Sequence, residues 1–194
     1  MPTPARTSRD EIVAAARAIA DADRLEAVTM DRVAAAVGVR APSLYKRVRD
    51  RSELIHLVAN AAAADLGDLV EKAARTGDPR RDLRRMVDTM RAFAREKPSS
   101  YGLVFDRQPD GWGPDQSLLE HGVEPLLRTA AELAGPDRAL EAARTTMAWA
   151  RGFIEMEITG AFTLGGDVEA AYEFGIDRIT DAFETRRARR QDRP

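Results

Sequence analysis

The chain has no cysteine, so neither a disulfide framework nor a thiolate metal site can be part of it, which suits a reducing, cytoplasmic setting. It has only two histidines, His56 and His121, and no HExxH, glycine-rich phosphate loop or nucleophile elbow. Glu155 and Glu157 lie two apart, on different faces of a helix, so they make no paired-carboxylate site. These absences argue against an enzyme, and neither a cofactor nor a metal is expected. No apolar run approaches the ~20 residues that span a bilayer. The first residues, MPTPARTSRDE, lack the apolar core of a signal peptide and read as a short flexible arm. Alternation of period two is nowhere sustained, and no repeat of roughly 20–50 residues is visible, so the fold class is all-α.

What is present is unevenly charged. The net charge is −2, yet residues 1–58 carry ten Arg/Lys against eight Asp/Glu, leaving 20 against 24 for the rest. A basic head and an acidic body direct nucleic acid to the head alone. Within the head, Ser8 and Glu11 form a capping box, and apolar residues at 12, 13, 16, 19 and 20 trace a first helix to about Asp23. Thr29 is a hydroxyl N-cap for Met30–Val37, whose apolar positions 30, 33, 34 and 37 share one face. Gly38 can take the positive φ of a sharp turn, with Val39 as an apolar plug beneath it. Pro42 then suits the first turn of a short helix over 41–48, held down by Leu44 and Val48. Residues 40–51 carry Arg40, Lys46, Arg47, Arg49 and Arg51 against Asp50. Small Ala41, Pro42 and Ser43 allow close approach to base edges, while Tyr45 and the cations suit phosphate contacts in a major groove. Thr29, Arg40, Ala41, Pro42, Ser43, Tyr45, Lys46 and Arg47 are therefore the candidate DNA-binding residues. The alternative is a solvated basic face on an ordinary helical hairpin.

The stretch TMDRVAAAVGVRAPSLYKRVRDRSELI resembles the DNA-binding signature of the TetR family of transcriptional regulators. Thr29, Gly38-Val39, Ser43-Leu44-Tyr45 and Glu53-Leu54 carry the resemblance, which covers about residues 8–60. It implies a helix-turn-helix domain over 1–58 and a ligand-binding and dimerisation domain over 59–194, about nine helices in all. Further on, Trp149-Ala150-Arg151-Gly152-Phe153 is similar to a Trp-x-His-Gly pattern in the ligand domain of one TetR branch, with Arg151 where that pattern has histidine.

Beyond the head, Ser52-Glu53 opens a long fourth helix through Val70, and Asp78-Pro79 a fifth to about Glu96. A short sixth helix follows over 99–106, then a loop over 107–116 in which Trp112 is either a lid over a cavity or a plug at the core edge. A seventh helix spans about 118–133, and long helices over about 136–162 and 168–187 end the chain. Their apolar residues on several faces suit a two-fold four-helix interface, with Ile158, Phe162, Tyr172, Ile176, Ile179 and Phe183 as candidates. A hairpin packed only within its own chain is the alternative. The end from Arg186 to Pro194 carries five arginines and is expected to lack structure. Met90, Phe93, Tyr101, Phe105, Trp112, Met147 and Phe153 are candidate contacts for a small apolar or amphipathic effector, since thioethers and rings line adaptable pockets. Arg151 or Glu155, if turned inward, would select a charged or hydrogen-bonding one.

The reading is a homodimeric DNA-binding regulator, a repressor by family resemblance, that leaves a palindromic operator when an effector occupies the body. An all-α enzyme would need a clustered acid, base or metal site. A ligand-independent architectural DNA binder would need a solidly packed body.

Overall fold

The computed structural model of the chain describes residues 7–107, 109 and 111–191, with side chains through Phe183. Its helices are α1 (Arg9–Asp23), α2 (Met30–Ala36), α3 (Ala41–Leu44), α4 (Arg51–Ala73), α5 (Pro79–Glu96), α6 (Pro98–Phe105), α7 (Gln116–Ala134), α8 (Ala139–Ile158) and α9 (Val168–Gln191). Short 3-10 turns occupy Leu25–Ala27 and Pro136–Arg138, and no strand occurs among the described residues, so the fold is all-α. No helix among them is long and apolar enough to cross a membrane. Two compact units form, one from residues 1–65 with 96–119, the other from 66–95 with 120–194.

The first unit is built on local signals that the sequence states outright. Ser8 accepts from the Glu11 amide at 3.1 Å while Glu11 accepts from the Ser8 amide at 2.8 Å, closing the capping box of α1. Thr29 caps α2 through the Arg32 amide at 3.2 Å. Gly38, at φ 71°, ends α2 with Val39 N–H bonded to Ala34 O at 2.9 Å and Gly38 N–H to Ala35 O at 3.2 Å, a Schellman closure. Asp50 caps α4 by accepting from the Glu53 amide at 2.8 Å. That amide first, and the Arg49 side chain second, hold the Asp50 carboxyl below its usual range. Ile12, Ala16 and Ala20 of α1 close a core with Val28, Val33, Leu44, Val48, Leu54, Ile55 and Val58.

Helix α6 joins this core through Leu103, and its start is tied to the end of α1. Ser99 Oγ donates to Ala20 O at 2.7 Å, and Ser100 donates to Asp21 through its amide at 2.9 Å and its hydroxyl at 2.8 Å.

The second unit packs Leu83 and Met86 of α5, Leu126, Ala130 and Leu133 of α7, and Ala142 and Ala143 of α8, with Met147 and Phe183 against them. An ionic ladder runs antiparallel between α5 and α9. Arg80 meets Asp181 at 2.6 Å, Arg84 meets Glu173 at 2.5 Å and Asp177 at 3.2 Å, Tyr172 donates to Asp88 at 2.7 Å, and Arg91 meets Glu169 at 2.9 Å.

Three expectations change. The α-helical part of the recognition segment is 41–44, followed by a turn in which Arg47 and Val48 both donate to Leu44 O. Arg40 gives no side-chain cap, and the chain must turn at once into the Asp50 cap of α4. Helix α8 stops at Ile158 rather than Phe162, because Gly160 at φ 68° makes a second Schellman closure, with Ala161 N–H on Met156 O at 2.7 Å. Helix α9 continues to Gln191, so residues 186–191 are helical; the expectations for residues 1–6 and 192–194 lie outside the described residues.

Candidate nucleic-acid interface

The helix-turn-helix presents a polar face because its two apolar anchors are used up underneath. Leu44 and Val48 are 0% and 1% exposed, which fixes α3 and its following turn on the core. Thr29, Arg40, Pro42, Ser43, Lys46 and Arg47 are then exposed, Tyr45 is 54% exposed, and Ala41 is half-buried. Of the eight candidates, Thr29 caps α2, Arg40 ends the turn before α3, Ala41, Pro42 and Ser43 lie on α3, and Tyr45, Lys46 and Arg47 lie in the turn that follows it, their polar side chains open to solvent. A phenol, two hydroxyls and three cations beside small residues are groups that can contact phosphates and base edges.

Arg51 does not belong to that face. Its Nε donates to Val28 O at 2.6 Å and its Nη2 to Leu25 O at 2.9 Å, so the guanidinium grips the turn that precedes α2. Trp112 covers it, with the guanidinium carbon 5.0 Å from the ring centroid, and packs against the head core. Of the two readings left open for Trp112, the plug at a core edge is the one seen. Tyr101 and Phe105 also sit in this unit, their rings 4.7 Å apart.

The other effector candidates, Met90, Phe93, Met147 and Phe153, sit in the second unit, where Met90 and Phe93 are buried. Phe153 belongs to an aromatic group with Trp149, Tyr172 and Phe162, at centroid distances of 5.7, 5.3 and 4.8 Å. Trp149 stacks on Tyr172 and packs against Gly175, where an added Cβ would come within 2.4 Å of the indole.

Arg91 lies over the Tyr172 ring at 4.0 Å, and this is the charge that sequence reasoning missed. It is 6% exposed and donates to Glu157 at 2.8 and 2.6 Å and to Glu169 at 2.9 Å through two nitrogens. Hydrogen bonding from Arg91 holds both carboxyls below their ordinary range, and the bonds to Glu157 push the guanidinium upward. Glu155 is exposed, so Glu157 is the inward carboxylate of the pair, while Arg151 is half-buried. A signal was available: Glu169, Glu173, Asp177 and Asp181 repeat every four residues, facing arginines at 80, 84 and 91.

Two open clefts lie in this unit. One of about 240 Å³ is lined by Arg138, Glu141, Thr145, Ala182 and Phe183 among others, and one of about 320 Å³ by Met156, Phe162, Leu164, Asp167 and Ala171 among others. None of the effector candidates lines either.

The interface candidates on α8 and α9 divide by burial. Tyr172 and Ile176 are 1% and 0% exposed within the single chain, packed against its own residues, so their side chains have no surface left to give a partner. Phe162, Ile179 and Phe183 are half-buried and Ile158 is 37% exposed. On these two helices and their connecting loop the large apolar side chains open to solvent are instead Leu140, Met156 and Ile158 of α8, Leu164 of the loop and Phe174 of α9; Leu69 of α4 and Val123 of α7 are exposed as well. No group of three or more potential metal ligands occurs among the described residues.

Comparison with known proteins agrees with this architecture. Residues 83–179, half of the chain, match the family model described as tetracyclin repressor-like, C-terminal domain. The chain is 26% identical over 187 residues to the uncharacterized HTH-type transcriptional regulator Rv0681 of Mycobacterium tuberculosis, covering 94% of this chain and 84% of that protein. Apo ActR from Streptomyces coelicolor shares the fold at a TM-score of 0.69 and 19% identity, covering 95% of this chain and 98% of its own. So does a TetR variant from Acinetobacter baumannii AYE in complex with minocycline, at 0.63 and 20% identity, covering 92% and 97%. With a capped α2, a glycine turn and an outward-facing α3 at one end of the chain and the matched domain at the other, the chain belongs to the TetR family of transcriptional regulators, which are not enzymes.

Proposed function

We propose that this regulator is a repressor that binds a palindromic operator as a homodimer, through residues 1–58, and is released when a small apolar or amphipathic molecule occupies residues 59–194. One observation carries the DNA-binding part: Leu44 and Val48 are buried while Arg40, Ser43, Tyr45, Lys46 and Arg47 around them are open to solvent. A short helix and its following turn, held by these two apolar anchors with their cationic side chains outward, can present those cations to a major groove.

Dimerisation is supported by the exposed apolar residues of the second unit, since five of the seven, Leu140, Met156, Ile158, Leu164 and Phe174, fall on α8, α9 or the loop joining them, with Leu69 on α4 and Val123 on α7. Such a concentration marks an interface. Ala148 and Gly152 on the exposed face of α8 would let a second copy approach closely. Two heads related by a two-fold axis fit half-sites ~34 Å apart. Release by a small molecule is supported by the thioether and aromatic content of the second unit, and by the likeness to a TetR protein in complex with minocycline. The physics is linkage: an effector that binds one head spacing better than another shifts the dimer toward it.

Selection of duplexes from a random pool, followed by titration across salt concentrations, tests the reading. Tyr45→Ala and Lys46→Ala should each weaken binding to the selected duplex without lowering the melting temperature. Lys46→Ala should also lower the slope of log affinity against log salt by about one. Recovery of no preferred sequence, or unchanged affinity in both variants, contradicts it.

A further inference from the structure

The turn between α1 and α2 is held in a conformation that its own sequence disfavours. Arg24 has φ 70° and ψ 165°, a region that a residue with a Cβ rarely adopts, and it is the one such non-glycine residue among those described. Directly after it, the carbonyls of Leu25 and Val28 accept the two bonds from Arg51. Thr29, the cap of α2, is the next residue, so the angle at which α2 leaves the turn depends on this grip. Arg51 is the first residue of α4, so the fork joins α4 directly to the entrance of the helix-turn-helix.

The guanidinium is shielded in turn by a segment distant in sequence. Trp112 covers it, and residues 111–115 are fastened along α4 beneath. His56 Nδ1 lies 2.8 Å from Gly113 O, and since a carbonyl can only accept, the proton is on Nδ1. Asn60 Nδ2 lies 3.3 Å from His56 Nε2 and donates to Asp115 at 2.9 Å, Asp115 Oδ1 lies 3.4 Å from the same His56 nitrogen, and Asn60 accepts from the Asp115 amide at 2.8 Å. Gly111, at φ 80°, permits the bend that brings the tryptophan over α4, and Trp112 N–H closes a turn onto Pro109 O at 3.1 Å. A fork bonding two carbonyls is stronger when an aromatic face keeps water from competing for it.

We infer that Arg51 and Trp112 are positioning residues for DNA binding. The 111–115 segment, through Trp112, keeps the Arg51 fork closed on Leu25 and Val28 and so sets the orientation of the helix-turn-helix, although none of these groups contacts nucleic acid. The inference rests on the DNA-binding reading above. It gives the segment between α6 and α7 a role in operator affinity that its own surface chemistry would not suggest.

The distinguishing property of a positioning residue is that its loss lowers affinity without changing the number of counterions released on binding. A duplex selected by the wild-type protein is titrated against wild type, Trp112→Ala, Trp112→Phe, Asn60→Ala and Lys46→Ala across salt concentrations, well below each melting temperature. Trp112→Ala and Asn60→Ala are expected to weaken binding by about 2- to 30-fold with the wild-type salt slope, whereas Lys46→Ala lowers that slope by about one. Trp112→Phe keeps a flat ring over the guanidinium and is expected to stay within about 2-fold of wild type. Asn60→Ala removes only the fastening of the segment, so it decides the matter if Trp112→Ala does not fold. Wild-type affinity in Asn60→Ala and in folded Trp112→Ala overturns the inference, as does a fall in salt slope like that of Lys46→Ala. A wild-type protein that selects no duplex removes the DNA-binding reading itself, an outcome visible before any variant is compared.

Discussion

Gly175→Ala places one methyl group where the packing of α8 on α9 has no room for it. An ideal Cβ at this position would lie 2.4 Å from Trp149 Cζ2, 2.8 Å from Cε2 and 3.0 Å from Nε1, whereas carbon contacts are favourable near 3.5–4.0 Å. The indole would have to move by more than about 1 Å. It cannot do so freely, because it stacks on Tyr172 at 5.6 Å and meets Phe153 at 5.7 Å. Overpacking of this kind costs about 1–3 kcal/mol, and disturbing the ring contacts about 0.5–1.5 kcal/mol more. Against this stands the helix preference of alanine over glycine, about 1 kcal/mol. The sum is a net destabilisation of about 1–3 kcal/mol, or a melting temperature lowered by about 2–10 °C for a chain of this size. Urea unfolding followed by far-ultraviolet circular dichroism measures it, with tryptophan fluorescence reporting Trp149 in parallel. Gly152→Ala is the control: it sits in α8 with nothing within 4 Å of the added Cβ, so in the isolated chain only the gain in helix preference remains. Equal or greater stability in Gly175→Ala would refute the reasoning.

Removing the buried guanidinium should matter more than removing any exposed ion pair. Arg91→Met is expected to cost about 2–3 kcal/mol, less than a fully buried break, because Glu157 retains Arg95 at 2.9 Å and the Glu169 side chain is 56% exposed. Arg91 holds the Glu157 and Glu169 carboxyls below their ordinary value of 4.5, so this stabilisation is present above pH 4.5 and is lost as pH falls through the lowered values. The gap between variant and wild type should therefore narrow in acid; a gap independent of pH would contradict it. Phe174→Arg, at a side chain 69% exposed, should yield a folded monomer in sedimentation, whereas Ile176→Arg, at 0% exposed, should unfold the chain. A monomeric wild type at micromolar concentration would sink the dimer. Arg24→Gly should raise the melting temperature, since relief of about 1–3 kcal/mol of backbone strain outweighs the added freedom of the unfolded chain; a lower value would count against strain at φ 70°.

Effects that act within a few residues along the chain were legible in the sequence. The capping box at Ser8, the Thr29 cap, the Gly38 turn and the buried pair Leu44 and Val48 follow from hydrogen-bond partners and helical period, and each is where those rules place it. The glycine C-cap at Gly160 is equally local, but the apolar period continues through it and masks the stop. Helix α3 is shorter than its period implied, since Asp50 and Glu53 compete to begin the next one.

What the sequence could not decide was which of two similar residues turns inward. Arg51 and Arg49 look alike in a basic run, yet one grips two carbonyls under Trp112 and the other is exposed, because only the first faces the turn at Leu25 and Val28. Glu155 and Glu157 differ in the same way: Arg91, some 60 residues earlier, selects Glu157. Tyr172 and Ile176 read as apolar surface for a partner until the chain itself is seen to cover them, while Phe174 and Leu164 stay open to solvent. Residues 96–119 read as part of the body, yet Leu103 and Trp112 pack against the head core. Local rules fix where helices begin and end, but burial depends on which distant segment packs against a given face, and only the tertiary structure determines that.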